Sequence, residues 1–289
     1  MIPSLPRPPW LRTATWLYVG AFLAFLFLPL AVVAVFAFND APYPAPPWRG
    51  FTLDWFLGSA AGARVGLFED HELLTSIGTS SLVAAWVTVL AVLIGTTNAF
   101  LLERCRFWGR QALSILMLAP LVIPGVILGI SILALASRIA ELADEVLGWD
   151  LDFLRPGLPL VVLGQFSYVV TIATLTISAR LRRFDRTLEE AALNLGASRA
   201  AVFRTIALPY LRPALAGSAA MAFLLSFEDF NTTLMLVGSD APLTILMYGR
   251  MREGASPVLN AVSLFLMIAS AVLALTLLRR GSARRGAGA

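Results

Sequence analysis

Asp185-Arg186-Thr187-Leu188-Glu189-Glu190-Ala191-Ala192-Leu193-Asn194-Leu195-Gly196, then Ser198 and Ile206-Ala207-Leu208-Pro209, form a polar stretch between two apolar runs. Thr187 with Glu190 three residues on reads as a capping box, which starts a helix. Leu188, Ala191, Ala192 and Leu195 then share one apolar face at i, i+3, i+4 and i+7. Gly196 is a natural helix stop. Ser198 can cap a second short helix carrying Val202, Phe203 and Ile206, which Pro209 limits. Residues 185–209 are therefore expected to be two short helices at a glycine turn, too short and too polar to cross a bilayer. Small Ala191 and Ala192 let a partner surface approach closely.

What flanks this stretch is apolar. Of 289 residues, 58% are hydrophobic and 14% charged, and the mean hydropathy is +0.79. Soluble domains carry about 25% charged residues, so lipid is the expected solvent. Six runs are long enough to span a core that needs about 20 apolar residues: Trp16–Phe38, Leu74–Leu102, Ala112–Ser137, Leu158–Ser178, Ala214–Val237 and Val258–Leu278. The expectation is an all-α polytopic membrane protein. Residues 1–15 form a proline-rich tail, 16–278 one transmembrane domain and 279–289 a second tail.

The positive balance is topological. All 22 basic residues are arginine. With the N-terminus inside, 16 arginines fall on inside segments and 6 on outside ones, so both termini are expected in the cytoplasm. That distribution speaks against a nucleic-acid partner; membrane lipid meets the inside arginines. The single Cys105 excludes a disulfide within the chain. Trp16–Phe38 is too long for a signal-peptide core and no A-x-A site follows it, so it reads as a retained first helix.

Within the spans, Pro120, Pro124 and Gly125 should kink or restart the third helix, and Gly125 with Gly129 suits close helix contact. Outside, Asn39 to Trp48 is proline-rich and leads to Gly50-Phe51-Thr52-Leu53-Asp54-Trp55-Phe56, which suits a stiff interfacial cap. His71 lies beside Glu69, Asp70 and Glu72, which reads as a solvated acidic loop and no metal site. Ser167 and Ser226 have no histidine in any span to activate them, so no catalytic residue is expected. Lysine is absent, so the chain lacks a P-loop and binds no cofactor of its own. Glu228 and Asp229 lie in the fifth span, where a charge costs about 2.5–3.5 kcal/mol. Ser226, Asn231, Thr232 and Thr233 extend that polar arc, which suits a water-lined path or a helix seam.

The pattern Glu190-Ala191-Ala192, Gly196, Ile206, Leu208, Pro209 resembles the coupling loop of binding-protein-dependent ABC importer permeases. The wider chain is similar to their spermidine/putrescine branch, through Phe38-Asn39-Asp40, Gly50 to Phe56, Pro124-Gly125-Val126-Ile127-Leu128-Gly129-Ile130 and Leu225-Ser226-Phe227-Glu228-Asp229-Phe230. The resemblance implies a type I importer permease fold in the bacterial inner membrane. It also implies a dimer of separate ATPase subunits holding ATP and Mg, and a second permease, a paralogue in that branch. A periplasmic or lipid-anchored substrate-binding protein would deliver the solute. The seven coupling residues would dock the ATPase, and Ser226, Glu228, Asp229, Asn231 and Thr232 would lie on the path of a polyamine-like cation moved by alternating access. Other readings stay open: a phosphonate, thiamine or iron-complex importer, or an ion-coupled secondary transporter. The carboxylates could also be protonated by burial against a partner, or solvated near an outer gate.

Overall fold

The long apolar runs fold as helices because a backbone in hydrocarbon must satisfy its own polar groups. The computed structural model describes residues 9–58, 64–254 and 256–286, and these contain twelve α-helices and no strand. In chain order they are α1 (Pro9–Phe36), α2 (Asp54–Leu57), α3 (His71–Arg104), α4 (Arg110–Val122), α5 (Gly125–Leu147) and α6 (Leu158–Leu181). The rest are α7 (Thr187–Asn194), α8 (Arg199–Val202), α9 (Leu208–Phe227), α10 (Asn231–Leu236), α11 (Leu243–Gly254) and α12 (Val258–Gly286). Among the described residues, five helical stretches are long and apolar enough to cross a membrane: α1, α3, α5, α6 and the run from Arg199 to Phe227. The apolar part of α12, Val258–Val272, is shorter.

The chain divides into two compact units. The first comprises Met1–His71 and Arg250–Ala269. Its α1 starts at Pro9, ahead of the expected Trp16; Pro3, Pro6 and Pro8 lie outside the described residues. The proline-rich cap is organised by Asn39, 1% exposed. Its amide donates to Pro47 O at 3.2 Å, its side-chain oxygen accepts from Arg49 N at 2.8 Å, and its carbonyl accepts from Trp55 Nε1 at 2.8 Å. Phe38 stacks on Phe51 and Phe56 beside it. His71 and its acidic neighbours form no metal-binding group among the described residues; Asp70 is instead held by Arg250, two-pronged at 2.6 and 3.0 Å.

The second unit, Glu72–Gly249 with Ser270–Ala289, is built around α6. Val161, Val169 and Ala173 of α6 pack with Val83, Val87 and Ala91 of α3 and with Ala136, Ala222 and Leu236 in one buried cluster. The third expected span is broken as the prolines require: α4 ends at Val122, Ile123 is extended, and Pro124 precedes α5. Gly125 and Gly129 meet α10. A Cβ on Gly125 would lie 2.9 Å from Asn231 Cβ, and one on Gly129 2.9 Å from Met235 Cβ.

Two expectations are corrected. The fifth span is not one helix: it stops at Phe227 and resumes at Asn231, leaving Glu228, Asp229 and Phe230 between helices. Nor does Pro209 end the second short helix. The chain passes from α8 through a π-helical turn, Phe203–Ala207, into α9, with Pro209 in the first turn of α9. Pro209 has no N–H to give the preceding turn, and the π-helical turn just before it is where the continuous run accommodates that missing bond.

Candidate functional site

The coupling loop is assembled from local chemistry. Helix α7 begins at Thr187 as the spacing predicts, but the cap is Asp185. Its Oδ1 accepts from Thr187 N at 3.0 Å and from Thr187 Oγ1 at 2.8 Å. These two bonds hold the Asp185 carboxyl below the usual carboxylate range. No side-chain cap comes from Arg186, the residue that flanks the helix. At the other end Gly196 adopts φ +85°. Gly196 N donates to Leu193 O at 2.9 Å and Ala197 N to Ala192 O at 3.0 Å, the paired bonds of a Schellman stop. Ser198 Oγ then accepts from Ala201 N at 3.2 Å and caps α8.

Three contacts tie this loop to the long helices. Arg104, at the end of α3, pairs with Glu189 at 3.0 Å. Arg186 Nη2 donates to Glu103 O at 2.8 Å. Beneath them Ala99, Ile177, Leu181, Phe184 and Leu211 form a buried cluster on which Ile206 packs. Leu208 and Pro209 are half-buried in the first turn of α9. Glu190, Ala191 and Gly196 are exposed, and Ala192 is half-buried. The apolar face of α7 is largely open, with Leu188 52% and Leu195 89% exposed. A rigidly mounted helix presenting apolar surface can receive a soluble partner.

The second constellation lies where the two helix breaks meet. A cavity of about 410 Å³ is lined by Pro120, Ile123, Tyr168, Glu228, Asp229 and Asn231, among others. Asp229 caps α10: its Oδ2 accepts from Thr233 N at 2.9 Å and Thr233 Oγ1 at 2.8 Å. Thr233 also accepts from Gln165 Nε2 at 2.8 Å, and Ser226 donates to Gln165 Oε1. Thr244 Oγ1 donates to the Asp229 carbonyl at 3.0 Å. This buried network satisfies the polar groups freed by the break, as a membrane interior requires. Ser226 and Thr232, 3% and 1% exposed, are packed in helix seams. Glu228, Asn231 and part of Asp229 are open to the cavity.

Glu228 differs from its neighbour. It sits at the C-terminal end of α9, its N–H donating to Leu224 O. A helix C-terminus carries partial negative charge and disfavours a carboxylate. Among the described residues no arginine or histidine forms an ion pair with it. Tyr168, Gln165 and Thr244 were not singled out from sequence; a lone glutamine inside the apolar run of α6 is the signal that could have found Gln165.

The chain belongs to the binding-protein-dependent transport system inner membrane component family, whose model matches residues 87–285. It is an ABC importer permease, a multi-pass membrane protein whose relatives are transport components rather than enzymes. It is 31% identical over 263 residues to the putrescine transport system permease protein PotI of Escherichia coli K12, covering 90% of this chain and 86% of that one. It is 28% identical over 257 residues to the spermidine/putrescine transport system permease protein PotC of the same strain, covering 89% of each. The fold matches the crystal structure of a bacterial alginate ABC transporter in complex with an alginate pentasaccharide-bound periplasmic protein. There the TM-score is 0.72 at 18% identity, with 93% of this chain and 92% of that one covered.

Proposed function

We propose that this chain is half of an ATP-driven gate that imports a polyamine-like cation, with Glu228 as the group that meets the cation. The carrying observation is a cavity-facing carboxylate at a helix C-terminus with no arginine or histidine paired to it among the described residues. A diamine or triamine supplies the missing charge, and an anionic solute would raise the repulsion. The likeness to PotI and PotC supports the same substrate class.

In this reading α1, α3, the α4–α5 pair, α6, the α9–α10 pair and α12 are six spans, with both termini cytoplasmic. Two ATPase subunits hold ATP and Mg and grip α7. A second permease, a paralogue, completes the pathway, and a periplasmic or lipid-anchored receptor delivers the solute. Closure of the ATPase dimer pushes α7, and the mounting through Arg104–Glu189 carries that movement to α3. The spans then exchange between inward-open and outward-open states, an equilibrium that nucleotide and loaded receptor both bias.

The test is uptake in lipid vesicles holding the full transporter. ATP-dependent accumulation of radiolabelled putrescine or spermidine, with none of sulfate, supports the reading. Receptor-stimulated ATPase activity with no polyamine uptake overturns the substrate and leaves the permease.

A further inference from the structure

Two arginines meet over a cavity of about 590 Å³. Arg110 opens α4, and Arg182 follows the last residue of α6; both line the cavity. Its other end is apolar. Leu118 lies eight residues along α4 from Arg110, and Leu175 seven residues back along α6 from Arg182, about 11–12 Å in each case. The bond from Thr171 Oγ1 to Met117 O at 2.6 Å holds the two helices in that register. Leu118 and Leu175 are 39% and 47% exposed, so the apolar end is open rather than filled by the protein.

The charged end carries an excess positive charge. Its one carboxylate, Glu103, is 12% exposed and accepts from Arg182 Nε at 2.8 Å. A bond at Nε leaves the two Nη groups of Arg182 for another acceptor, and that side chain is 67% exposed. Arg110 forms no ion pair among the described residues. Gln111 and Ser114, both exposed, add neutral donors on the same wall. On the turn before α4, Phe107 is 37% and Trp108 100% exposed. Exposed aromatics beside arginines at a helix end mark the level of the lipid headgroups.

We propose that this cavity binds one anionic glycerophospholipid of the inner leaflet. The phosphate lies between the Arg110 and Arg182 guanidiniums, with Gln111 and Ser114 as further donors, and an acyl chain runs along Leu118 and Leu175. Two forked cations suit a phosphate, which takes charge-assisted bonds from both. A cation would be repelled by the same lining. A small free anion would use the charged end and leave the apolar end bare, so the pairing of the two ends selects a lipid. Basic pockets between spans on the cytoplasmic side take such headgroups because that leaflet is anionic. The inference rests on the six-span topology above and is independent of the imported solute.

The test is native mass spectrometry of the purified full transporter titrated with phosphatidylglycerol or phosphatidylcholine, which reads subunit assembly in the same spectra. Phosphatidylglycerol is expected to bind at the lower concentration. Arg110→Gln should weaken it about fivefold, one arginine's attraction to an anionic headgroup, and Arg110→Lys should keep most of the binding. Arg183→Gln, an exposed arginine outside the lining, should bind as the parent does. Parent-level binding by Arg110→Gln overturns the site, and so does an equal loss in Arg183→Gln. Displacement of the lipid by millimolar inorganic phosphate overturns the acyl-chain half. Cys105, exposed on the same turn, reports the topology separately: an impermeant maleimide should label it from the cytoplasmic side alone. Labelling from the outer side overturns the topology. Cytoplasmic labelling with no preference for phosphatidylglycerol overturns the lipid site alone.

Discussion

The Arg104 guanidinium lies 3.0 Å from the Glu189 carboxylate, with only 16% and 22% of the two side chains exposed. That pair joins the last turn of α3 to the first turn of α7. Arg104 also lies over the Phe184 ring at 5.4 Å, so the charge is held by both a carboxylate and an aromatic face. A pair this shielded lies between the exposed and buried regimes. Arg104→Ala is expected to cost about 1–3 kcal/mol of loop stability. Transport should fall further than ATPase activity, because the motor keeps turning on a slackened mount. Paired uptake and ATPase measurements in one vesicle preparation check this. Equal loss of both contradicts it.

Helix α7 should respond to pH through Asp185. Its folded carboxyl titrates below the ordinary range because Thr187 donates two bonds to the charged form. A depressed carboxylate contributes stability above the unfolded value and loses it as pH falls through the folded one. Amide protection in α7, relative to the intrinsic exchange rate at each pH, should therefore be steady from neutral pH down to the unfolded carboxylate range. Protection should fall below that, and Asp185→Ala should abolish the pH step.

Gly129 packs with its Cα where a Cβ would come 2.9 Å from Met235 Cβ and 3.1 Å from Thr232 O. Neither atom is the free end of a side chain. Gly129→Ala is expected to push α5 from α10 at a cost of about 1–3 kcal/mol, read as a lower melting temperature of the solubilised complex. Gly217→Ala, which meets nothing within 4 Å, is the control.

Gln165 bridges Ser226 on α9 and Thr233 on α10. Gln165→Leu fills similar space but leaves both hydroxyls without this partner, at about 1–3 kcal/mol. The break should loosen, with faster exchange at the Thr233 amide that Asp229 caps. Unchanged exchange there contradicts the network's role.

The legible parts of this chain were those fixed by neighbours in sequence. Thr187 as a helix start, Gly196 as a stop, Ser198 as a cap and the restart at Pro124 each follow from a residue and its own backbone. What escaped was one local cap assigned to the wrong residue, and whatever was set by distant partners. The capping-box spacing of Thr187 and Glu190 pointed to the right start, while Asp185 two residues earlier makes the bonds. The interruption at Glu228–Phe230 carries no proline or glycine. It stands because Gln165, Thr233 and Thr244 satisfy what the break exposes. Two adjacent acids in an apolar run were the available hint, since Asp229 favours the start of a helix. Asp229 is engaged as a cap by Thr233 four residues on, while Glu228 is open to the cavity.

The most direct measurement is ATP-dependent putrescine uptake by the full transporter in vesicles, comparing the parent with Glu228→Gln and Glu228→Asp. ATPase activity is recorded in the same samples. The account predicts that Glu228→Gln loses most uptake with ATPase activity retained, and that Glu228→Asp keeps a substantial part. Parent-level uptake by Glu228→Gln contradicts a cation path through this carboxylate.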